Sequence, residues 1–116
     1  MEVKLKQEGV VTVLCLNGRL DLASGTALKE QIKSLFEKNR TSIHLNLADV
    51  DFINSSGLGA LVSIMKEIRI RKGRLTLSNL ASYVQEIFEI TQLSHIFEIF
   101  ATEQEAVNSY QSVAAN

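Results

Sequence analysis

The sequence predicts a single α/β domain built on a mixed sheet, and three observations carry that prediction. Strand-like apolar runs alternate with segments whose apolar residues recur every three to four positions, in the order β-β-α-β-α-β-α-β-α. Strands separated by helices need crossover connections, so part of the sheet is parallel, while the first two runs are parted only by Glu8-Gly9 and form an antiparallel hairpin. The 116 residues contain no proline, no low-complexity stretch and no long repeat, which leaves one core, no linker and one domain over 1–116.

Val3 to Gln7 is the first strand of the hairpin, and Val10 to Leu16 the second, apolar at nearly every position and therefore central and covered on both faces. Asn17-Gly18 breaks it. A helix then starts near Ser24-Gly25-Thr26, with Leu28, Ile32, Leu35 and Phe36 on one buried stripe. Ser42 to Leu47 alternates polar with apolar as a strand, followed by a short connection through Val50, Phe52 and Ile53.

The next helix pattern begins at Asn54-Ser55-Ser56-Gly57-Leu58-Gly59. Leu58, Leu61, Val62, Met65 and Ile68 share its inner face, with Ile64 at the margin. Lys66, Arg69, Arg71 and Lys72 suit the negative end of its dipole, and Gly73 stops it. Leu75 to Leu77 is a strand. Ser82-Tyr83-Val84-Gln85 has capping-box spacing before a helix with Val84, Ile87 and Phe88 inward. Ile96 to Phe100 is the last short strand, and Thr102 to Glu105 is a second capping box before Val107, Tyr110 and Val113. The tail Ala114-Ala115-Asn116 frays.

Composition narrows the function. Twelve basic against thirteen acidic residues, a net charge of -1, give no field to hold nucleic acid by counterion release. The lone Cys15 sits in an apolar run, which excludes a disulfide framework and predicts a buried structural thiol. The N-terminus alternates charged and apolar residues, and no run reaches membrane-spanning length, so a cytoplasmic protein without a membrane segment is expected.

Catalytic patterns are missing. Neither Ser55 nor Ser56 has the flanking glycines of a nucleophile elbow, and there is no P-loop, no Cys/His cluster at ligand spacing and no dinucleotide fingerprint. His44 and His95 lie in apolar strand-like surroundings, as edge or surface residues rather than bases for Ser55. Asp21, Asp49 and Asp51 read as solvated or capping acids rather than metal ligands. The expectation is a protein with no catalytic residues, metal or cofactor.

What remains is the helix start. Spacing alone favours Ser55 and Ser56 as N-caps. Gly57 and Gly59, however, each lower helix propensity by about 0.8–1 kcal/mol relative to Ala, an odd choice for a turn that needs only stability. Their missing side chains leave room beside the serines for another molecule. On a helical wheel Ile70 points away from the inner stripe, towards Gly59, Ser63 and Lys66, on the serines' side.

Leu16-Asn17-Gly18-Arg19-Leu20-Asp21, followed some thirty residues later by Val50 to Gly59, resembles the STAS domain, and specifically the small bacterial anti-sigma factor antagonists. The likeness spans essentially the whole chain. It implies a mixed five-strand sheet with about four packed helices. It also implies a phosphoacceptor serine at the start of the second helix, which maps to Ser55, with Ser56 second. Asp21 matches the acid of the Gly-x-Leu-Asp motif near the acceptor, and Asn54 stands where close relatives carry Asp; with Gly57 these form the supporting set.

The implied mechanism is a partner switch. The unphosphorylated form binds a GHKL-type serine kinase that is also an anti-sigma factor, through a face including Leu58, Gly59 and Ile70. Phosphorylation of Ser55 releases it, and a serine phosphatase resets it. Asn54 favours one alternative, a non-switching STAS subunit bound constitutively to an ABC transporter ATPase or sensor complex, with Ser55 only a cap. A monomer is expected.

Overall fold

The computed structural model describes the backbone of residues 1–114 and the side chains of 1–111. Its elements are β1 (Glu2–Glu8), β2 (Val11–Leu20), α1 (Leu22–Glu37), β3 (Ser42–Ile53), α2 (Ser55–Ile70), β4 (Arg74–Ser78), α3 (Ser82–Ile90), β5 (Glu98–Phe100) and α4 (Glu103–Ala114). A 3-10 turn at Leu93–His95 precedes β5. The strands form one mixed sheet in the order β1-β2-β3-β4-β5, with β1 antiparallel to β2 and the other pairs parallel.

Each parallel crossover steps the same way along the sheet with the same hand, so α1, α2 and α3 fall on one face. There Leu28 and Ile32 of α1, Leu61 and Ile68 of α2, and Val84 and Phe88 of α3 close over Leu14, Leu45 and Leu77. Burying each such side chain contributes about 1.5–3 kcal/mol. α1 and α2 lie close: a Cβ on Gly25 would sit 2.6 Å from the Ala60 Cβ.

α4 covers the opposite face, where Val107 and Tyr110 pack on Val11 and Val13. Its first residue is clamped across three strands. Glu103 takes a 2.7 Å ion pair from Lys6, a 2.9 Å hydrogen bond from the Asn46 amide and a 3.6 Å contact from the Cys15 thiol. Burial pushes the Glu103 carboxyl up, but the bonds from Lys6 and Asn46 outweigh it and hold the acid below its ordinary range.

Several elements differ from the sequence expectation. β2 does not break at Asn17-Gly18; it continues to Leu20, absorbing register shifts against β3 with Gly18 at φ +117°. β3 likewise runs unbroken from Ser42 to Ile53, because the residues read as a connection pair with the extended β2. α1 starts at Leu22, ahead of the expected start near Ser24, because Asp21 is its cap. Ile64 is buried on α2, whereas Leu58 and Val62 are only half-buried, so the inner face is rotated from the predicted stripe. α2 ends in a Schellman turn in which Lys72, not Gly73, has positive φ; Gly73 is needed because a Cβ there would overlap the Thr41 carbonyl. α3 has Ala81 as its cap, with no side-chain bond, so the first predicted capping box is absent. The second is half present: Thr102 Oγ1 accepts the Glu105 N–H at 3.2 Å. Val113 and the tail Ala115-Asn116 lie outside the described residues or side chains.

Cys15 is half-buried against Glu103 rather than sealed in the core. His44 departs furthest from expectation: it is fully buried beneath α4, neither edge nor surface. Tyr110 donates to the Ile43 carbonyl at 2.7 Å, Thr76 lies 3.0 Å from the Tyr110 oxygen, and the two His44 ring nitrogens lie 2.7 Å from Thr76 and 2.7 Å from Ser78. We assign a neutral imidazole protonated at Nδ1, donating to Thr76 and accepting from Ser78, because that direction satisfies every member. Burial lowers the His44 pKa to about 4 and raises that of Tyr110 to about 12.

Candidate functional site

β2 and β3 end side by side, with Leu20 opposite Ile53, and each is followed at once by the cap of a helix. Asp21 caps α1 and Asn54 caps α2, so two helix N-termini open at the same edge of the sheet. The Asn54 N–H donates to the Leu20 carbonyl at 3.3 Å, which ties the second start to the end of β2. Those starts are positive dipole ends.

Asp21 is built firmly into its corner. Its carboxylate accepts the Ser24 N–H at 3.2 Å, its own N–H donates to Ser24 Oγ at 2.9 Å, and Ser24 Oγ donates to the Arg19 carbonyl at 2.7 Å. The backbone and side-chain bonds from Ser24 hold its carboxyl below the ordinary carboxylate range. The Arg19 guanidinium stacks 3.9 Å above the Phe52 ring centre, linking the last turns of β2 and β3.

In α2 the Asn54 carboxamide oxygen accepts the Gly57 N–H at 2.9 Å. The serines are therefore not caps: Ser55 is the first helical residue and Ser56 the second. Both are exposed, and neither hydroxyl has a hydrogen-bond partner among the described residues. The two glycines divide in role. A Cβ on Gly57 would overlap the Leu20 carbonyl, so that glycine serves the fit of α2 against β2 and does not clear space for an outside molecule, as the sequence had suggested. A Cβ on Gly59 would meet nothing within 4 Å. Nothing inside the fold requires the second glycine.

Ser55, Gly59, Lys66 and Ile70 recur at helical spacing and are all exposed, making a stripe down the outer side of α2, with Ile70 76% accessible at its far end. Leu58 is half-buried and packs against the main core, so it offers the stripe only part of its side chain. Two residues at the Ser55 end went unread in the sequence. Leu22 is 68% accessible at the start of α1, and Tyr83, 39% accessible, has its hydroxyl pKa raised by burial and by the Asp51 carboxylate. Leu22 was visible in principle, since it falls out of phase with the Leu28-Ile32 stripe. Tyr83 depends on α3 folding back beside β3, which local sequence does not encode.

The site has hydroxyls on a dipole end, and neither histidine lies at them. His44 is buried on the opposite face and His95 sits in the turn before β5. Among the described residues, no three of His, Cys, Asp and Glu are grouped to hold a metal ion. Among the described residues, no helix is long and apolar enough to cross a membrane.

Comparison with known proteins agrees with this architecture. The STAS domain family model matches residues 2–106. The anti-sigma-B factor antagonist of Bacillus subtilis is 30% identical over 92% of this chain and 97% of its own. That of Listeria monocytogenes is 33% identical over 76% of this chain and 77% of its own. Among solved structures, the anti-sigma factor antagonist SpoIIAA superposes in its unphosphorylated form with a TM-score of 0.75, at 26% identity over 95% of this chain and 98% of that one. Its phosphorylated form superposes with a TM-score of 0.73, at 25% identity over 94% and 99%. A sheet of one antiparallel and three parallel pairings, a capped helix start carrying two free serines, and a family match across nearly the whole chain together place this protein in the STAS domain family, among the homologues of the anti-sigma factor antagonists.

Proposed function

We propose that this chain is an anti-sigma factor antagonist that works as a partner switch: unphosphorylated, it binds a serine kinase that is also an anti-sigma factor, and phosphorylation of Ser55 releases it. The observation that carries this reading is the pair Ser55 and Gly59, an unbonded exposed hydroxyl one turn above a glycine that the fold does not need. A partner surface lying against α2 supplies the reason for the missing side chain, and it brings a kinase to the hydroxyl. SpoIIAA, known in both unphosphorylated and phosphorylated forms, supports the same reading.

Phosphate on Ser55 would add about -1.5 to -2 charges and three acceptor oxygens at the docking face, beside Asp21. The dipole end of α2 tolerates that charge within the protein, while bulk and like-charge repulsion expel an acidic partner surface. Asn54 suits the switch, because as a neutral cap it holds the helix start without an extra negative charge beside the phosphate. Ser55 is the proposed acceptor, Ser56 the second choice, Asp21, Asn54 and Gly57 the support, and Leu58, Gly59 and Ile70 the contact face. A serine phosphatase resets the cycle in the cytoplasm, and the protein itself catalyses nothing.

The alternative is constitutive attachment to a transporter ATPase or sensor complex, which Asn54 in place of Asp favours; the capping role it gave Ser55 belongs to Asn54. Incubation with the cognate kinase and ATP, followed by mass mapping and binding measurements, decides between them. The switch predicts phosphate on Ser55 with loss of kinase binding, retained binding by Ser55→Ala and lost binding by Ser55→Asp. Equal binding by both variants would sink it.

A further inference from the structure

The three helices over the main core are unevenly spaced. α2 packs closely on α1, at Gly25 and Ala60, but barely meets α3. Arg71, stacked on Phe36, marks the α1 side of α2, and Arg69, which donates to the Ile96 carbonyl at 2.9 Å, marks the other. Leu58 and Val62 share the Arg69 side and so face α3 across a seam. In α3, Gln85 and Ile87 flank the buried Val84-Phe88 stripe, and Gln85 lies towards β5 beside Ser94 and Phe100, which turns Ile87 to the seam. Leu58, Val62 and Ile87 are all only half-buried.

Both helices end in an exposed isoleucine. Ile70 at 76% and Ile90 at 74% are the two most accessible large apolar side chains among the described residues. One such residue is ordinary, but these two are preceded by opposite charges at matching positions. Lys66 and Arg69 stand four and one residues before Ile70, and Glu86 and Glu89 stand four and one before Ile90. The bases suit the negative dipole end of α2. The acids oppose that of α3, whose last turn has no basic residue. Among the described residues, Lys66, Glu86 and Glu89 have no ion-pair partner. Nothing within the fold accounts for an acidic, apolar end on α3. A basic, apolar helix end lying on it would.

The chain carries that helix end itself. In a twofold contact one patch meets its own copy, so whatever a first residue does to a second is repeated in return. An axis along the seam lays α2 of each copy over α3 of the other, with both helices pointing the same way. Lys66 then lies opposite Glu86 of the partner subunit, and Ile70 opposite Ile90 of the partner subunit, twice over. Setting α2 on α2 would instead oppose like charges.

We propose that the outer face of α2 and α3 is a self-association surface whose occupant is a second copy of this chain. The monomer expected from the sequence is then the dilute form. Pairing covers Ile70, so it and any contact that a switch partner makes there exclude each other. The surface makes no use of Ser55 and is tested without a kinase, so it stands or falls separately from the switch reading.

Sedimentation equilibrium of the unmodified chain should show the mass rising from one chain towards two as the concentration approaches about 1 mM. Lys66→Glu and Glu86→Lys, both at exposed positions, each set like charges against one another and should weaken association by about tenfold or more while keeping dispersed amide spectra. Mixing the two variants should restore it, because both charge pairs are then opposite again. A mass of one chain at about 1 mM, or no recovery on mixing, would overturn the proposal. So would association indifferent to both reversals, the result expected if copies paired through the edge strand β1 instead.

Discussion

The Asn54 carboxamide oxygen accepts the Gly57 amide at 2.9 Å, and this one bond relieves Ser55 of any part in holding α2. Replacing Asn54 by Ala should cost about 0.5–2 kcal/mol of stability, the worth of an N-cap. Ser55→Ala should stay within about 0.5 kcal/mol of the unmodified protein, as an exposed unbonded site does. Urea denaturation of the two variants reads both values. A loss of cap size from Ser55→Ala would show that the hydroxyl supports the helix after all.

The two glycines should answer oppositely to the same substitution. Gly57→Ala drives a methyl into the Leu20 carbonyl and should destabilise by about 1–3 kcal/mol. Gly59→Ala meets open space and should stabilise the isolated domain by about 0.5–1 kcal/mol through helix propensity, while weakening binding to the partner. Thermal unfolding alongside a binding titration separates the effects, and undiminished partner affinity in Gly59→Ala would remove Gly59 from the contact face.

Leu61 is fully buried where α2 meets the sheet, so Leu61→Ala should lose about 2–5 kcal/mol. Calorimetry or chemical denaturation measures this directly. A smaller loss with impaired partner binding would mean that α2 presents a different side to the core.

His44 sets a pH dependence with a definite sign. Its pKa in the folded state is lowered to about 4 by burial, whereas the unfolded chain titrates near 6.5. Between those values the unfolded state holds a proton that the folded state refuses, so stability is complete above about pH 6.5 and falls as the pH drops towards 4. The slope is at most about 1.4 kcal/mol per pH unit. Glu103 opposes this shift and Lys6 reinforces it, but both act less than burial. The lowered carboxyls of Asp21, Glu98 and Glu103 add losses of the same sign only at still lower pH. Denaturation from pH 7 to 5 should show the slope, and His44→Gln, which keeps a donor and an acceptor without titrating there, should flatten it.

The order of elements and the two motifs could be read from the sequence because periodicity and turn residues are local. The stripe Leu28-Ile32-Leu35-Phe36 and the helix start after Ile53 needed nothing distant. What escaped reading depends on pairing across the chain. β2 passes through Asn17-Gly18 because β3 offers partners that accommodate the irregular register. His44 alternates with Ser42 and Asn46 as if facing water, and only the return of α4 buries it. The α2 cap lies at Asn54, one or two residues before the serines that spacing favoured, because Ser and Asn compete for that role on nearly equal terms. At the candidate site the serines were found by sequence, but the separate reasons for Gly57 and Gly59 required knowing where Leu20 lies.

The placement of α4 alone on its face gives the molecule two grades of cohesion. The large core binds three helices to the sheet, whereas α4 rests on Val107 and Tyr110, the Glu103 clamp and the relay through Thr76 to His44. A helix so attached is the natural first unit to open under acid or denaturant. Its departure would bare one side of the sheet while leaving the serine corner intact, so loosening of this kind need not silence the switch.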